Sequence, residues 1–296
     1  MLNIREIKFN VLQSLKFKRG IDVLHSIENQ FIKLTVNDEG GSMHSLIYKP
    51  TGEERLWQGG EAWASRDVVI FPIIGHAGPF EVCGKSYQLK SHGLARYTRL
   101  AVEKNGEEQL TLSFSSDEES KKSYPFDFDF SITYKLENNS VKITYFVRSK
   151  CGVMPFYVGG HPGMRAPGGS AVIEFENEEH PIIYPLEGGA ASMPHLKRFV
   201  ANKPFFAECK TFQLGSLSGG AIYARTEDGY TYTYKSDCPL FAFWSNPDGG
   251  EYVCVEPWWG INDNPAFPRE FSLKPFVNFE RGEGSTFSYT LTVAKD

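Results

Sequence analysis

The sequence predicts an all-β protein, and three observations predict it. Apolar and polar residues alternate with period two in segment after segment. Aromatic residues make up 14% of the chain, led by 23 Phe and 14 Tyr, which is a strand-forming bias. The chain also carries 28 Gly and 17 Pro, enough turn formers to separate many short strands. The clearest alternation runs through Phe126, Phe128, Phe130, Ile132, Tyr134 and Leu136, with Asp127, Asp129, Ser131, Thr133 and Lys135 between them. The polar stretch Glu137-Asn138-Asn139-Ser140 follows, and then Val141, Ile143, Tyr145 and Val147 alternate with Lys142, Thr144 and Arg148. Two half-buried strands around an Asn-rich turn read as an antiparallel hairpin. Ile32/Leu34/Val36, Leu110/Leu112/Phe114, Tyr230/Tyr232/Tyr234 and Phe287/Tyr289/Leu291/Val293 repeat the pattern. No window holds an i, i+3, i+4, i+7 apolar face over three turns, so the strands must pack on each other as a sandwich or barrel.

With 296 residues the chain can bury a full core, and no linker, composition break or repeat divides it. The expectation is a single domain over residues 21–296, preceded by an arm or extra strand over residues 1–20. That first segment is basic, but Asn10, Gln13 and Ser14 interrupt any secretory apolar run. The balance of 36 acidic against 31 basic side chains, net −5, argues against nucleic acid or an anionic membrane as partner. No stretch approaches the apolar length of a membrane-spanning helix. The five cysteines (Cys83, Cys151, Cys209, Cys238 and Cys254) are scattered and odd in number, which points to a reducing, cytoplasmic compartment rather than a disulfide framework. The assembly expected is a monomer or a weak homodimer.

Four stretches break the strand pattern with Gly, Pro, His and Trp: Ile70 to His76, Ser91 to Arg96, Gly159 to Met164, and Val253 to Gly260. In the last, alternation puts Val253 and Val255 on one face and Cys254 and Glu256 on the other. Pro257 cannot donate to a ladder, so the strand is expected to end at Glu256. A carboxylate there, flanked by Trp258 and Trp259, suits a general base beside a stackable sugar ring; a salt bridge to a surface Lys or Arg is the alternative. His92 and His161 each lie beside glycine at the end of an apolar run, and imidazole titrates near neutrality, as a general acid must. For each, a hydrogen-bonded packing role is the competing reading. No His spacing of H-x-H or H-E-x-x-H type is present, so a metal site is not expected. Nucleophile-elbow, phosphate-loop and dinucleotide-loop motifs are also missing.

Trp63 followed by FPIIG, HGLAR, GGHPGM and CVEPWWG, in that order, resembles the aldose 1-epimerase (galactose mutarotase-like) superfamily, in particular the branch that reads HGFAR, GHPAF and EPW. The resemblance runs from about Ile27 to the C-terminus. It implies a large antiparallel β-supersandwich and an isomerase of carbohydrate metabolism that interconverts sugar anomers without a cofactor. Carried over motif by motif, it implies Glu256 as general base and His161 as general acid. It further implies His92 as a ring-oxygen or hydroxyl partner, and Arg96 as a substrate contact. After FPIIG the branch carries an Arg that contacts sugar; here the residue is His76, with fewer donors. Glu208 is the nearest match to an upstream family Asp.

That chemistry suits the residues, since anomer exchange needs one proton taken from the anomeric hydroxyl and another given to the ring oxygen. The expected ligand is a small hexose or modified hexose, and neutral, phosphorylated and sulfonated forms are all compatible with the sequence. A catalytically silent carbohydrate-binding protein is the alternative from another class. A glycoside hydrolase ranks below both, because it needs two carboxylates across the scissile bond and only Glu256 stands in a motif.

Overall fold

The computed structural model describes residues 23–76 and 78–296, so the arm expected over residues 1–20 lies outside the described residues. Two large antiparallel sheets dominate. In one, nine strands are ordered Leu196–Ala201, Ala171–Glu179, Ala221–Thr226, Tyr230–Ser236, Ser285–Lys295, Ser140–Ser149, Phe128–Glu137, Gln109–Ser115 and Ala101–Lys104. The other runs Ala191–Ser192, Ile182–Ile183, Thr211–Gly215, Leu240–Trp244, Tyr252–Trp259, Val158–Gly160 and Val69–Ile70, with Gly163–Arg165 also pairing to the Tyr252–Trp259 strand. A four-stranded sheet built from Leu24–Glu28, Ile32–Asn37, Met43–Tyr48 and Glu53–Glu54 adds to these.

The hairpin read from alternation is present. Phe128–Glu137 pairs with Ser140–Ser149 from Phe128↔Ser149 to Glu137↔Ser140. Phe128, Phe130, Ile132, Tyr134 and Leu136 are all buried, while Asn138 takes the left-handed conformation in the turn (φ 54°) that Asn tolerates better than most residues. The same logic buries Tyr230, Tyr232 and Tyr234, and Tyr289, Leu291 and Val293. One apolar cluster runs through both large sheets.

One local feature lies outside the strand pattern, and one expectation is corrected. Among the described residues there is an α-helix, Lys203–Cys209, which is too short to show a three-turn apolar face. Asn202 caps it by accepting the Phe205 N–H at 3.1 Å. Glu208 lies exposed on this helix. The strand bearing Glu256 does not stop at Pro257 but continues to Trp259. It survives because Pro257 faces a place where the ladder is already interrupted.

Trp259 is 6% exposed and points between the sheets, packing on Phe287 (centroids 5.5 Å) and Tyr145 (6.4 Å). It is a core residue and not part of a sugar platform, as adjacent strand residues must face opposite ways. Trp259→Ala is therefore expected to cost about 3–5 kcal/mol in urea unfolding, the usual cost of truncating a buried Trp. A loss below about 0.5 kcal/mol, typical of a surface position, would contradict this placement.

Candidate active site

The site is built on the partners of the Tyr252–Trp259 strand. Gly163, Met164 and Arg165 pair with Cys254, Val253 and Tyr252, while Val158 and Gly159 pair with Trp259 and Trp258. Both sets share one register, and continuing it between them sets Gly160, His161 and Pro162 opposite Pro257, Glu256 and Val255. Pro162 and Pro257 have no N–H to give, so no regular ladder can form across this interval. His161 thus stands directly across from Glu256, the closest cross-strand position a sheet offers. Its Nδ1 lies 3.4 Å from Glu256 Oε2.

The glycines around His161 serve close packing. A Cβ on Gly163 would lie 2.6 Å from the Trp63 ring, and one on Gly160 would lie 2.7 Å from the Tyr289 hydroxyl. Trp63 can therefore stack on His161 with centroids 4.9 Å apart and planes at 23°. Trp244 meets the imidazole edge-on at 5.4 Å, and His92 does so at 5.3 Å. Tyr252 packs against both tryptophans. The backbone ties the Trp63 loop to this region: Trp57 N–H donates to the Gly163 carbonyl, and Gly163 N–H to that of Arg66.

Glu256 is 1% exposed and His161 7%. Neither Glu256 oxygen nor His161 Nδ1 makes a hydrogen bond of ordinary geometry. Burial pushes the Glu256 carboxyl well above its usual range; the Trp258 indole opposes the shift and the charge of Asp67 adds to it. Burial drives His161 well below its usual range, helped by His92 and Arg96. Both shifts favour the uncharged forms, a carboxylic acid beside a neutral imidazole, over the ion pair.

His92 occupies a turn with φ 64°, an uncommon conformation for a residue with a Cβ. Backbone bonds between the 71–75 and 91–94 segments hold it there: His92 N–H donates to the Gly75 carbonyl, Phe71 N–H to that of His92, and Leu94 N–H to that of Phe71. Its Nδ1 accepts the Gly75 N–H at 3.2 Å, so the neutral ring carries its proton on Nε2. Burial first, then Arg96 and His76, lower its pKa to about 3. Arg96 sits in the 3₁₀ turn Ala95–Tyr97 and donates to Ser65 Oγ at 3.0 Å. His76 is exposed.

Of the residues singled out in the sequence, the fold brings Glu256, His161 and His92 together, with Arg96 and His76 close enough to act on the imidazoles. Trp258 is 2% exposed and shares the Glu256 face, so it adjoins the carboxylate but offers no open ring face. Sequence reasoning did not assign Trp244 or Asp67 to the site, and Cys254 lies next to it without a part in the acid–base pair. Trp244 ends an apolar strand, Cys254 shares the Glu256 face two residues away, and Asp67 is a lone acid before Val68-Val69-Ile70. Asp67 is buried and accepts backbone N–H groups from Met43 (2.9 Å), Val68 and His161, while burial pushes it up to about 6. With Arg66, Arg96 and His44 it lines an open cleft of about 390 Å³ beside the pair, which Glu256 and His161 do not themselves line.

The aldose 1-epimerase family profile matches residues 23–183, more than half of the chain. The chain belongs to the aldose 1-epimerase family. Similarity extends beyond that span. A galactose mutarotase related enzyme from Lactobacillus acidophilus superposes with a TM-score of 0.85 at 27% identity, covering 92% of this chain and 98% of that one. A galactose mutarotase-like protein from Lactobacillus casei gives 0.84 at 20% identity, over 92% of this chain and 100% of its own, and shares the fold. The LacX protein encoded on a plasmid of Lactococcus lactis subsp. lactis is 23% identical over 266 residues, which is 80% of this chain and 87% of LacX. The galactose mutarotase-like sandwich is thus the fold of this family member, and among its described residues no helix is long and apolar enough to cross a membrane.

The His92 geometry makes a spectroscopic prediction. Its ¹⁵N signals should show the Nε2–H tautomer and stay constant from pH 5 to 8. A His92 that titrates near about 6.5, the unperturbed value, would contradict the buried acceptor role of Nδ1.

Proposed function

We propose that this protein is a cofactor-independent aldose 1-epimerase that interconverts the α and β anomers of a hexose or modified hexose. The single observation that carries the proposal is the buried, directly opposed Glu256–His161 pair, whose facing atoms lack hydrogen-bond partners.

Anomer exchange needs a base at the anomeric hydroxyl and an acid at the ring oxygen. Rotation about C1–C2 follows, and the same transfers then run in reverse on the other face. A pair that holds one proton between two members performs both halves, since the member that accepts during opening donates during closure. Sugar hydroxyls entering the site supply the donors that both Glu256 oxygens lack. They stabilise the carboxylate and move the proton to His161. Glu256 then takes the anomeric proton and His161 protonates the ring oxygen. The pair is left as carboxylic acid and neutral imidazole, the state that burial favours in the unliganded site. The open-chain aldehyde therefore sits beside groups already set for closure.

The remaining residues have binding roles. His92, neutral with Nε2–H available, donates to a sugar oxygen. Arg96 contacts a hydroxyl, and His76 at the rim takes the place of the usual Arg. Trp63 and Trp244 supply the apolar surface, a role that Trp258 and Trp259 do not fill. All five cysteines are unpaired, which supports a reducing, cytoplasmic setting.

Saturation-transfer NMR on a panel of free hexoses tests this reading. The protein is expected to accelerate α/β exchange of at least one sugar. Glu256→Gln and His161→Ala should each lower that acceleration by about 10²–10⁴-fold. The double variant should lose little more than the worse single one, because the pair acts as a unit. Sugar binding without any faster exchange in the wild-type protein would instead make it a carbohydrate-binding module.

A further inference from the structure

The face that carries Glu256 also carries Cys254, two residues earlier on the same strand. Gly163 pairs with Cys254 and His161 stands opposite Glu256, so thiol, imidazole and carboxylate converge although their sequence spacing is no metal motif. One ligand atom from each of His161, Cys254 and Glu256 lies within 4.8 Å of the other two. The thiol is fully buried, the carboxylate is 1% exposed, and both carboxylate oxygens and His161 Nδ1 lack hydrogen-bond partners. Nothing in the epimerase chemistry uses Cys254.

The geometry points to an inhibitory site for a thiophilic divalent cation such as Zn²⁺, held by His161, Cys254 and Glu256. A sulfur, nitrogen and oxygen donor set of this kind selects zinc over magnesium or calcium. Tetrahedral zinc with bonds of about 2.0–2.3 Å keeps its ligand atoms about 3.3–3.8 Å apart, so side-chain rotations of about 1 Å close the triangle. Three protein ligands leave a fourth position for water or a sugar oxygen. His161, though buried, is the least buried of the three, so the ion enters from its side, where Trp63 and Trp244 flank the ring. The buried Asp67 adds negative charge behind the site, while Arg96 opposes a cation from the His161 side. An ion bound here occupies both groups proposed to move protons, so metal and sugar exclude each other. The inhibitory consequence rests on the epimerase reading; the site itself does not.

Co²⁺ serves as the spectroscopic probe for the full-length protein. The wild type should show a near-ultraviolet thiolate-to-cobalt charge-transfer band that Zn²⁺ abolishes by displacement. Cys254→Ser should lose the band and retain metal-free exchange. Zn²⁺ inhibition should weaken in it by at least about 10–100-fold, the effect of losing even an outer-shell partner. Cys238→Ser should retain the band. Absence of the band in the wild type overturns the site whatever the variants do, and so does a band that survives in Cys254→Ser. If Cys254→Ser does not fold, Cys254→Ala takes its place. A Cys254-dependent band in a protein that accelerates no sugar exchange upholds the metal site and defeats the epimerase reading. Zinc-insensitive exchange with no band does the reverse.

Discussion

Two prolines on opposite strands, one on each side of a single cross-strand pair, decide where the chemistry lies. Pro162 and Pro257 remove the donors that a ladder between their strands would need, yet the pairs on either side keep the register fixed. The interval is therefore aligned but not bonded, and His161 and Glu256 stand opposite each other within it. Flanking strands, glycine contacts and tryptophan packing all serve to hold that arrangement. Register matters because a slip of one residue would send Glu256 to the face now occupied by Val253 and Val255.

The placement is costly in stability. A carboxyl with both oxygens unpartnered in a closed site loses its hydration without compensation, at about 1–3 kcal/mol for such a buried group. Asp67 behind it and the left-handed backbone of His92 add further cost. The dense aromatic core offsets these penalties. Tyr145, Tyr289, Phe287 and Trp259 fill the space between the sheets beneath the site. The high Phe and Tyr content is thus the counterpart of a strained, desolvated acid–base pair. The formal net charge of −5 says little about the site, where Arg66, Arg96 and the imidazoles of His44, His76, His92 and His161 gather around buried acids.

Much of this was legible in the sequence because strand alternation is a local signal. The Phe128–Glu137 hairpin, the Tyr230–Tyr234 strand and the two faces of the Cys254–Glu256 segment follow from period two alone. Glu256, His161 and His92 were legible as candidates because Gly, Pro and Trp interrupt that period around them. What stayed hidden depends on long-range pairing. Trp244 reaches His161 only because its strand pairs with Tyr252–Trp259, and Trp63 reaches it over Gly163. Trp259 was misread because its neighbours suggested a platform, whereas its parity places it in the core. The Lys203–Cys209 helix escaped notice because a helix of two turns leaves no periodic signature, although the Asn202 cap was there to be read.

The central claim is that the opposed pair holds its proton on Glu256 while the site is empty, ready to pass it when a sugar enters. Infrared difference spectroscopy at pH 6 measures this directly. That pH is well above the ordinary Glu value of about 4.3, where a solvated carboxyl would be ionised. A carboxylic-acid C=O component that Glu256→Gln removes is predicted in the unliganded wild-type protein, separate from that of Asp67, which burial pushes up to about 6, and reduced when an exchanging sugar binds. A spectrum with only carboxylate absorption for Glu256 at that pH would contradict the account.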